Sequence, residues 1–183
     1  MQQELEPITP ERAKEMYLDA RKHEVSESTL GGYHYRLKHF IRWCDEKGID
    51  NMNDLTGRNL QEFRTWRRDD GDLKPVTLEG NLDALRVFIR WCESFNAVPE
   101  GLHDKIIMPT LSKEDEQSES ILTAEEAEPI LEYLRRFEYA SRGHVILELL
   151  WHTGMRLGAI QSLDRDDYDD EKEVLTVHHR PER

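Results

Sequence analysis

Positive charge is in deficit in this 183-residue sequence: 25 Lys and Arg stand against 38 Asp and Glu, a formal net charge of −13. Nucleic-acid binding is driven by cations that displace the counterions condensed on phosphate, so the overall balance argues against it. Cysteine is scarce as well. Cys44 and Cys92 each end an apolar Phe-Ile-Arg-Trp-Cys segment and lie in no Cys-x-x-Cys or Cys/His pattern, which excludes a disulfide framework and zinc-finger spacing. They read as reduced core residues, and a bond between them is disfavoured because no export signal points to an oxidising compartment. No apolar run approaches the length of a membrane span, and the N-terminus lacks the basic-then-apolar order of a secretory signal. The expected location is the cytoplasm.

What is present suffices for a packed core: 37% of the residues are hydrophobic, enough for one ordinary domain or two small ones. The acidity is uneven. Residues 1–95 carry 15 Lys and Arg against 18 Asp and Glu, whereas residues 96–183 carry 10 against 20. The N-terminal half is therefore the better candidate for touching phosphate. Arg outnumbers Lys 17 to 8 amid abundant carboxylates, the balance of proteins from salt-in halophiles, where added acidic groups keep a protein soluble.

Thr9-Pro10-Glu11 opens a first helix, expected to reach about residue 23, with a capping hydroxyl, a proline at the first helical position and an acidic first turn. A second helix starts at residues 26–29 and ends at Gly48; its Leu30, Tyr33, Leu37, Phe40, Ile41 and Cys44 recur at three- and four-residue steps. A third is expected over residues 56–68, burying Leu60, Phe63 and Trp66 and closing at Asp69-Asp70-Gly71, and a fourth runs from Pro75 to about residue 95. The second and fourth look like copies at an offset of 48. Thr29, Leu30, Leu37, Phe40, Ile41, Arg42, Trp43 and Cys44 match Thr77, Leu78, Leu85, Phe88, Ile89, Arg90, Trp91 and Cys92. Two copies are too few to stack as a solenoid, so this is pseudo-symmetry within one domain.

From residue 96 to 120 the periodicity breaks at Pro99, Gly101 and Pro109, and the SKEDEQSES stretch is polar and acidic. The organisation is therefore a helical domain over residues 1–98, a linker over 99–120 and a second unit over 121–183. That unit opens with a capping box, Thr123 with Glu126, and Ile121 or Leu122 is placed for a hydrophobic staple. A helix to about residue 137, an apolar helix over 145–152 and a short helix over 156–163 should follow, and residues 173–178 alternate like the first strand of a sheet.

The segment Leu149-Leu150-Trp151-His152-Thr153-Gly154-Met155-Arg156-Leu157-Gly158-Ala159-Ile160-Gln161-Ser162-Leu163, followed by Asp166 and Tyr168, concentrates the chemistry. Gly154 permits a sharp turn between two helices, and Arg156 is then presented at a helix start, where the helix field favours an anion and a guanidinium can hold two phosphate oxygens. This Thr-Gly-x-Arg turn resembles the first catalytic box of the tyrosine recombinases (phage integrase family). The helix with the pattern T-x-x-x-Y-x-x-x-L-x-x-F-x-x-W over residues 29–43, the linker, the Leu-Thr-Ala-Glu-Glu start and the following strand all fall in that family's order. One position departs: three residues after the arginine the family usually has an acidic residue, and here stands Ala159.

The resemblance implies a mainly α chain, a SAM-like helical core-binding domain followed by a truncated α+β catalytic domain. It implies a role in DNA integration and site-specific recombination, with double-stranded DNA and other recombinase protomers on DNA as partners, no membrane, and no metal or nucleotide cofactor. In that family a tyrosine attacks the scissile phosphodiester, two arginines stabilise the pentacoordinate phosphate, a hairpin lysine protonates the leaving oxygen and histidines assist. Arg156 matches the first arginine. Nothing matches the hairpin lysine, the H-x-x-R box or the nucleophile, since Lys172 precedes the strand and Tyr168 sits in an acidic turn. The expectation is a chain that binds DNA but does not cleave it alone, with residues from about 121 onward loosely packed, because a first strand so near the last residue leaves apolar faces without partners.

His34, Lys38 and Arg42 lie on one face of the second helix, Arg64, Arg67 and Arg68 on the third, and Arg86 and Arg90 on the fourth, as candidates for a clamp on the DNA backbone. The ordinary alternative is a solvated stripe. Thr29 and Thr77 are helix N-caps in the plainer reading and phosphate contacts in the other. Trp43, Trp66, Trp91 and Trp151 recur at core spacing. His178 and His179, adjacent on a strand, face opposite ways and do not make a metal site. The competing functional class is a helical protein-interaction module without a DNA role, which would lack the steep salt dependence of phosphate binding.

Overall fold

The structure is a computed structural model that describes residues 4–112, 115, 122–178 and 180. Ile121, His179 and most of the SKEDEQSES stretch, to which the sequence assigns a staple, a strand position and a linker, lie outside the described residues. Two units separate, Met1–Ser118 and Glu119–Arg183.

In the first unit four helices form as their caps dictate. Helix α1 (Pro10–Arg21) starts where Thr9 Oγ1 accepts the Arg12 N–H at 3.3 Å. Helix α2 (Glu27–Lys47) is capped by Ser26 and stops at Gly48, whose left-handed φ of 68° costs a residue without a Cβ nothing. Helix α3 (Gly57–Asp70) begins with a capping box between Thr56 and Asn59, and α4 (Pro75–Glu93) follows Lys74. The repeat extends to the helix starts: Ser26 and Lys74 are equivalent caps 48 residues apart. Thr29 and Thr77 are consequently not N-caps; each is the third residue of its helix.

The two copies bury the same side chains in one core. Leu37, Phe40, Ile41 and Cys44 from α2 meet Leu85, Phe88, Ile89 and Cys92 from α4. Tyr17 of α1 is fully buried and makes edge-on contacts with Tyr33, Phe88 and Trp91 at 5.4–5.6 Å between ring centres. Phe40, Trp43 and Phe63 extend the aromatic cluster to α3. Both cysteines are free, and burial pushes the Cys44 thiol up to about 12 and Cys92 higher still, so neither is a thiolate at neutral pH. Residues 96–106 pack onto this core through four side chains. Ala97, Val98, Leu102 and Ile106 are all buried, against the expectation that the linker begins at residue 99; their irregular spacing around a 3-10 turn at His103–Lys105 leaves no periodicity to read. A second 3-10 turn, Met52–Asp54, ties the ends together: the Asn53 amide donates to Glu6 O and Ala97 O at 2.9 and 3.0 Å.

The second unit holds α5 (Ala124–Phe137), with the Thr123–Glu126 capping box in place, α6 (Arg142–Thr153), α7 (Leu157–Gln161) and a hairpin of β1 (Tyr168–Asp169) and β2 (Val174–Leu175). The strands pair antiparallel, Tyr168 with Leu175 and Asp169 with Val174. The expected first strand is thus the second arm of a hairpin, and Tyr168 is a strand residue instead of a turn residue; two-residue strands are too short to announce themselves by alternation. Ion pairs dominate. Arg135 joins α5 to Glu148 of α6 at 2.7 Å, holding that carboxyl down to about 2, while His144 and His152 approach Glu148 at 3.2 and 3.0 Å. Arg180 forks onto both oxygens of buried Asp167 at 2.6 and 2.7 Å, and this holds the Asp167 carboxyl well below the usual carboxylate range. Apolar burial is sparse: among the described hydrophobic residues of this unit only Ala127, Leu131 and Ile160 are buried. Trp151, expected in the core, is 37% exposed on a groove shared with Ile130, Leu131, Leu147 and Leu150, because α6 is apolar around most of its circumference and this unit covers only part of it. Among the described residues no helix is long and apolar enough to cross a membrane.

Phe88→Ala should destabilise the first unit by about 3–5 kcal/mol in chemical denaturation, since it empties the centre of the aromatic cluster. In the second unit, a carboxyl whose folded pKa is depressed lends stability that is present above its unfolded value and lost as pH falls through the folded one. Arg180→Gln should therefore lower the melting temperature at neutral pH, and its difference from the unaltered chain should shrink as pH drops below about 4.

Candidate nucleic-acid interface

The cationic positions named from the sequence divide by environment. His34, Lys38, Arg42, Arg68 and Arg90 are exposed, Arg64 and Arg86 half-buried, and Arg67 buried. Arg67 is a correction. The residue is 5% exposed, with Nε donating to Asn81 Oδ1 and a terminal nitrogen donating to Asp70 Oδ2, both at 3.3 Å. Asn81 in turn donates to Thr77 O at 2.7 Å. Burial draws Arg67 below the ordinary arginine range, yet a guanidinium stays charged in proteins, so it joins α3 to α4 and is no clamp on DNA. It sits on the inner side of α3 because positions 60, 63 and 67 share one helix face, a periodicity that Leu60 and Phe63 already display.

The outer faces of the repeat correspond. Lys38 and Arg42 on α2 take the helical positions that Arg86 and Arg90 take on α4. Lys38 lies over the Tyr35 ring at 4.1 Å, and Arg42 over Trp66 at 4.7 Å. Carboxylates meet several of these cations: Arg42 contacts Asp70 and, at 3.6 Å, Glu46; Arg68 meets Asp69 at 2.8 Å, and Arg86 meets Asp83 at 3.1 Å. Among the described residues His34 and Arg90 make no ion pair. His39 was not singled out in the sequence, yet it lies among these groups. Burial first, and then Arg67, Lys38 and Arg42, pull it down to about 4, so it is neutral at pH 7. Arg36 was also missed; its guanidinium lies 3.7 Å from where a Cβ on Gly80 would stand, so it reaches from α2 across α4. A glycine opposite an arginine 44 residues away leaves no mark in a linear reading. Thr29 and Thr77 are exposed, and Thr29 Oγ1 is 2.9 Å from Ser26 Oγ.

In the second unit the Thr-Gly-x-Arg turn is built as its residues require. Gly154 ends α6 with φ of 64°, its N–H donating to Leu150 O at 3.1 Å, and Thr153 Oγ1 accepts the Met155 N–H at 3.2 Å. Arg156 is then the extended N-cap of α7, its carbonyl accepting from Ala159 and Ile160 at 2.9 and 3.2 Å. Its side chain is exposed and carries no ion pair among the described residues. Ala159, where an acidic residue would orient it, offers no acceptor in its side chain. The arrangement presents one guanidinium to solvent at a tight helix junction, able to take an anion.

Comparison with known proteins fits this architecture. The family described as phage integrase, N-terminal SAM-like domain, matches residues 16–94. Tyrosine recombinase XerC from Bacillus pumilus is 28% identical over 163 residues, covering 88% of this chain and 52% of that protein; the chain spans about half the length of the curated relatives it matches. The crystal structure of the N-terminal domain of a phage integrase/site-specific recombinase from Haloarcula marismortui is 33% identical, with a TM-score of 0.55, over 57% of this chain and 99% of that one. The fold is also shared with a lambda integrase dimer bound to a core site, at 17% identity and a TM-score of 0.70, over 90% of this chain and 44% of that one. The chain belongs to the tyrosine recombinase (phage integrase) family.

Proposed function

We propose that this chain binds double-stranded DNA through the outer faces of α2 and α4 and takes part in DNA integration and site-specific recombination. The observation that carries the reading is the recurrence of cations at equivalent positions of the two repeated helices, Lys38 and Arg42 on one, Arg86 and Arg90 on the other, all turned away from the shared core. Family membership supports it, as does the fold shared with a lambda integrase that is bound to DNA at a core site. His34 extends the α2 stripe by one turn, Arg64 and Arg68 are secondary candidates on α3, and Thr29 and Thr77 lie exposed in the first turns of α2 and α4. Arg156 is proposed as the group that holds the scissile phosphate, its guanidinium donating to two oxygens as charge builds on them.

Charge reversal at Lys38 or at Arg90 should weaken binding to duplexes of any sequence alike, and should lower the slope of log affinity against log salt by about 1 each. Fluorescence anisotropy across a salt series measures both. Binding that ignores salt would instead identify a hydrophobic protein-interaction module. Arg156→Ala, made in a protein that carries the whole catalytic domain, should slow strand cleavage by about 100-fold or more while leaving noncovalent binding in place.

A further inference from the structure

The carboxylates beside the cationic face carry an inference that rests on the DNA-binding reading and refines it. Asp70 Oδ2 is shared by two arginines, Arg42 of α2 and Arg67 of α3. The two differ in freedom. Arg67 is buried and fixed by Asn81, whereas the Arg42 side chain is 47% exposed, lying over Trp66 with Glu46 as a second, looser acceptor at 3.6 Å. Asp70 therefore has two cationic partners, of which only one can leave. When Arg42 turns outward, Asp70 remains paired with Arg67 at 3.3 Å, so the exchange strands no carboxylate. Asp69 and Asp83, which pair with Arg68 and Arg86, have no such second cation among the described residues. His39 beside the cluster is neutral and does not compete for Asp70.

We propose that Asp70, assisted by Glu46, gates the nucleic-acid face: it holds Arg42 in an intramolecular pair, and a phosphate backbone binds by taking Arg42 from it. A gate differs from the diffuse repulsion that any carboxylate exerts on DNA, because its effect passes through Arg42 alone.

The test is a double-mutant cycle on the full chain, with affinity for a short, labelled, mixed-sequence DNA duplex read by anisotropy at one ionic strength. Asp70→Asn should tighten binding about two- to fivefold, the range of a partly exposed ion pair. In an Arg42→Gln background the same change should do nothing. Because Asp70→Asn also deprives Arg67 of a partner, folding is followed by thermal melting, and Glu46→Gln, which leaves Arg67 untouched, should give a smaller gain that likewise vanishes without Arg42. A gain that persists in Arg42→Gln, or no gain from either substitution in a chain that does bind the duplex, overturns the gate and leaves the DNA-binding reading standing. Failure of the unaltered chain to bind the duplex at any ionic strength overturns both.

Discussion

An arginine that is 5% exposed must find partners for its charge inside the protein, and Arg67 finds them in Asn81 of α4 and Asp70 of its own helix. That requirement fixes how α3 sits against α4 and where the Asp70 carboxylate points. Asp70 then draws Arg42 from α2, and Arg42 settles on the ring of Trp66. The outer cationic face is thus anchored from within: the carboxylate that pairs with one buried charge also holds the exposed Arg42. Arg67, a candidate for phosphate contact in the sequence, serves instead to join α3 to α4 behind the outer cations.

The repeated helices supply the rest of the first unit's logic. Equivalent residues from α2 and α4 meet in one core, with Tyr17 closing it from α1, so equivalent positions on the outside also match. Symmetry in burial becomes symmetry in presentation. This lets a chain with a net charge of −13 keep cations at matched positions of two helices, while the net negative charge concentrates in residues 96–183, where cations are fewer. A phosphate backbone responds to charge within about 10 Å, the screening length at moderate salt, and not to the total.

The second unit follows a different balance. Its elements are joined by ion pairs, Arg135 with Glu148 and Arg180 with Asp167, more than by apolar burial, and the α6 surface around Trp151 remains open. The Thr-Gly-x-Arg junction is nevertheless well defined, because its geometry is local: a left-handed glycine, a threonine hydroxyl on a backbone N–H and an extended N-cap need no distant partner.

Local features of this kind are what the sequence by itself determined. Helix starts at Thr9, Thr56 and Thr123, the stop at Gly48, the buried stripe of α2 and the Arg156 junction all depend on residues within a few positions of one another, where spacing and capping chemistry suffice. The repeat could be read too, being an identity between two linear segments. Tertiary structure alone decided the burial of Arg67, the sharing of Asp70, the reach of Arg36 to Gly80, the neutrality of His39 and the membership of Leu102 and Ile106 in the core. Each of these joins residues distant in the chain, and such a pairing becomes visible only when packing has chosen which helix faces meet. Trp151 shows the converse: apolar spacing marks a face as able to be buried, but burial requires a neighbour, and only the fold says whether one is there.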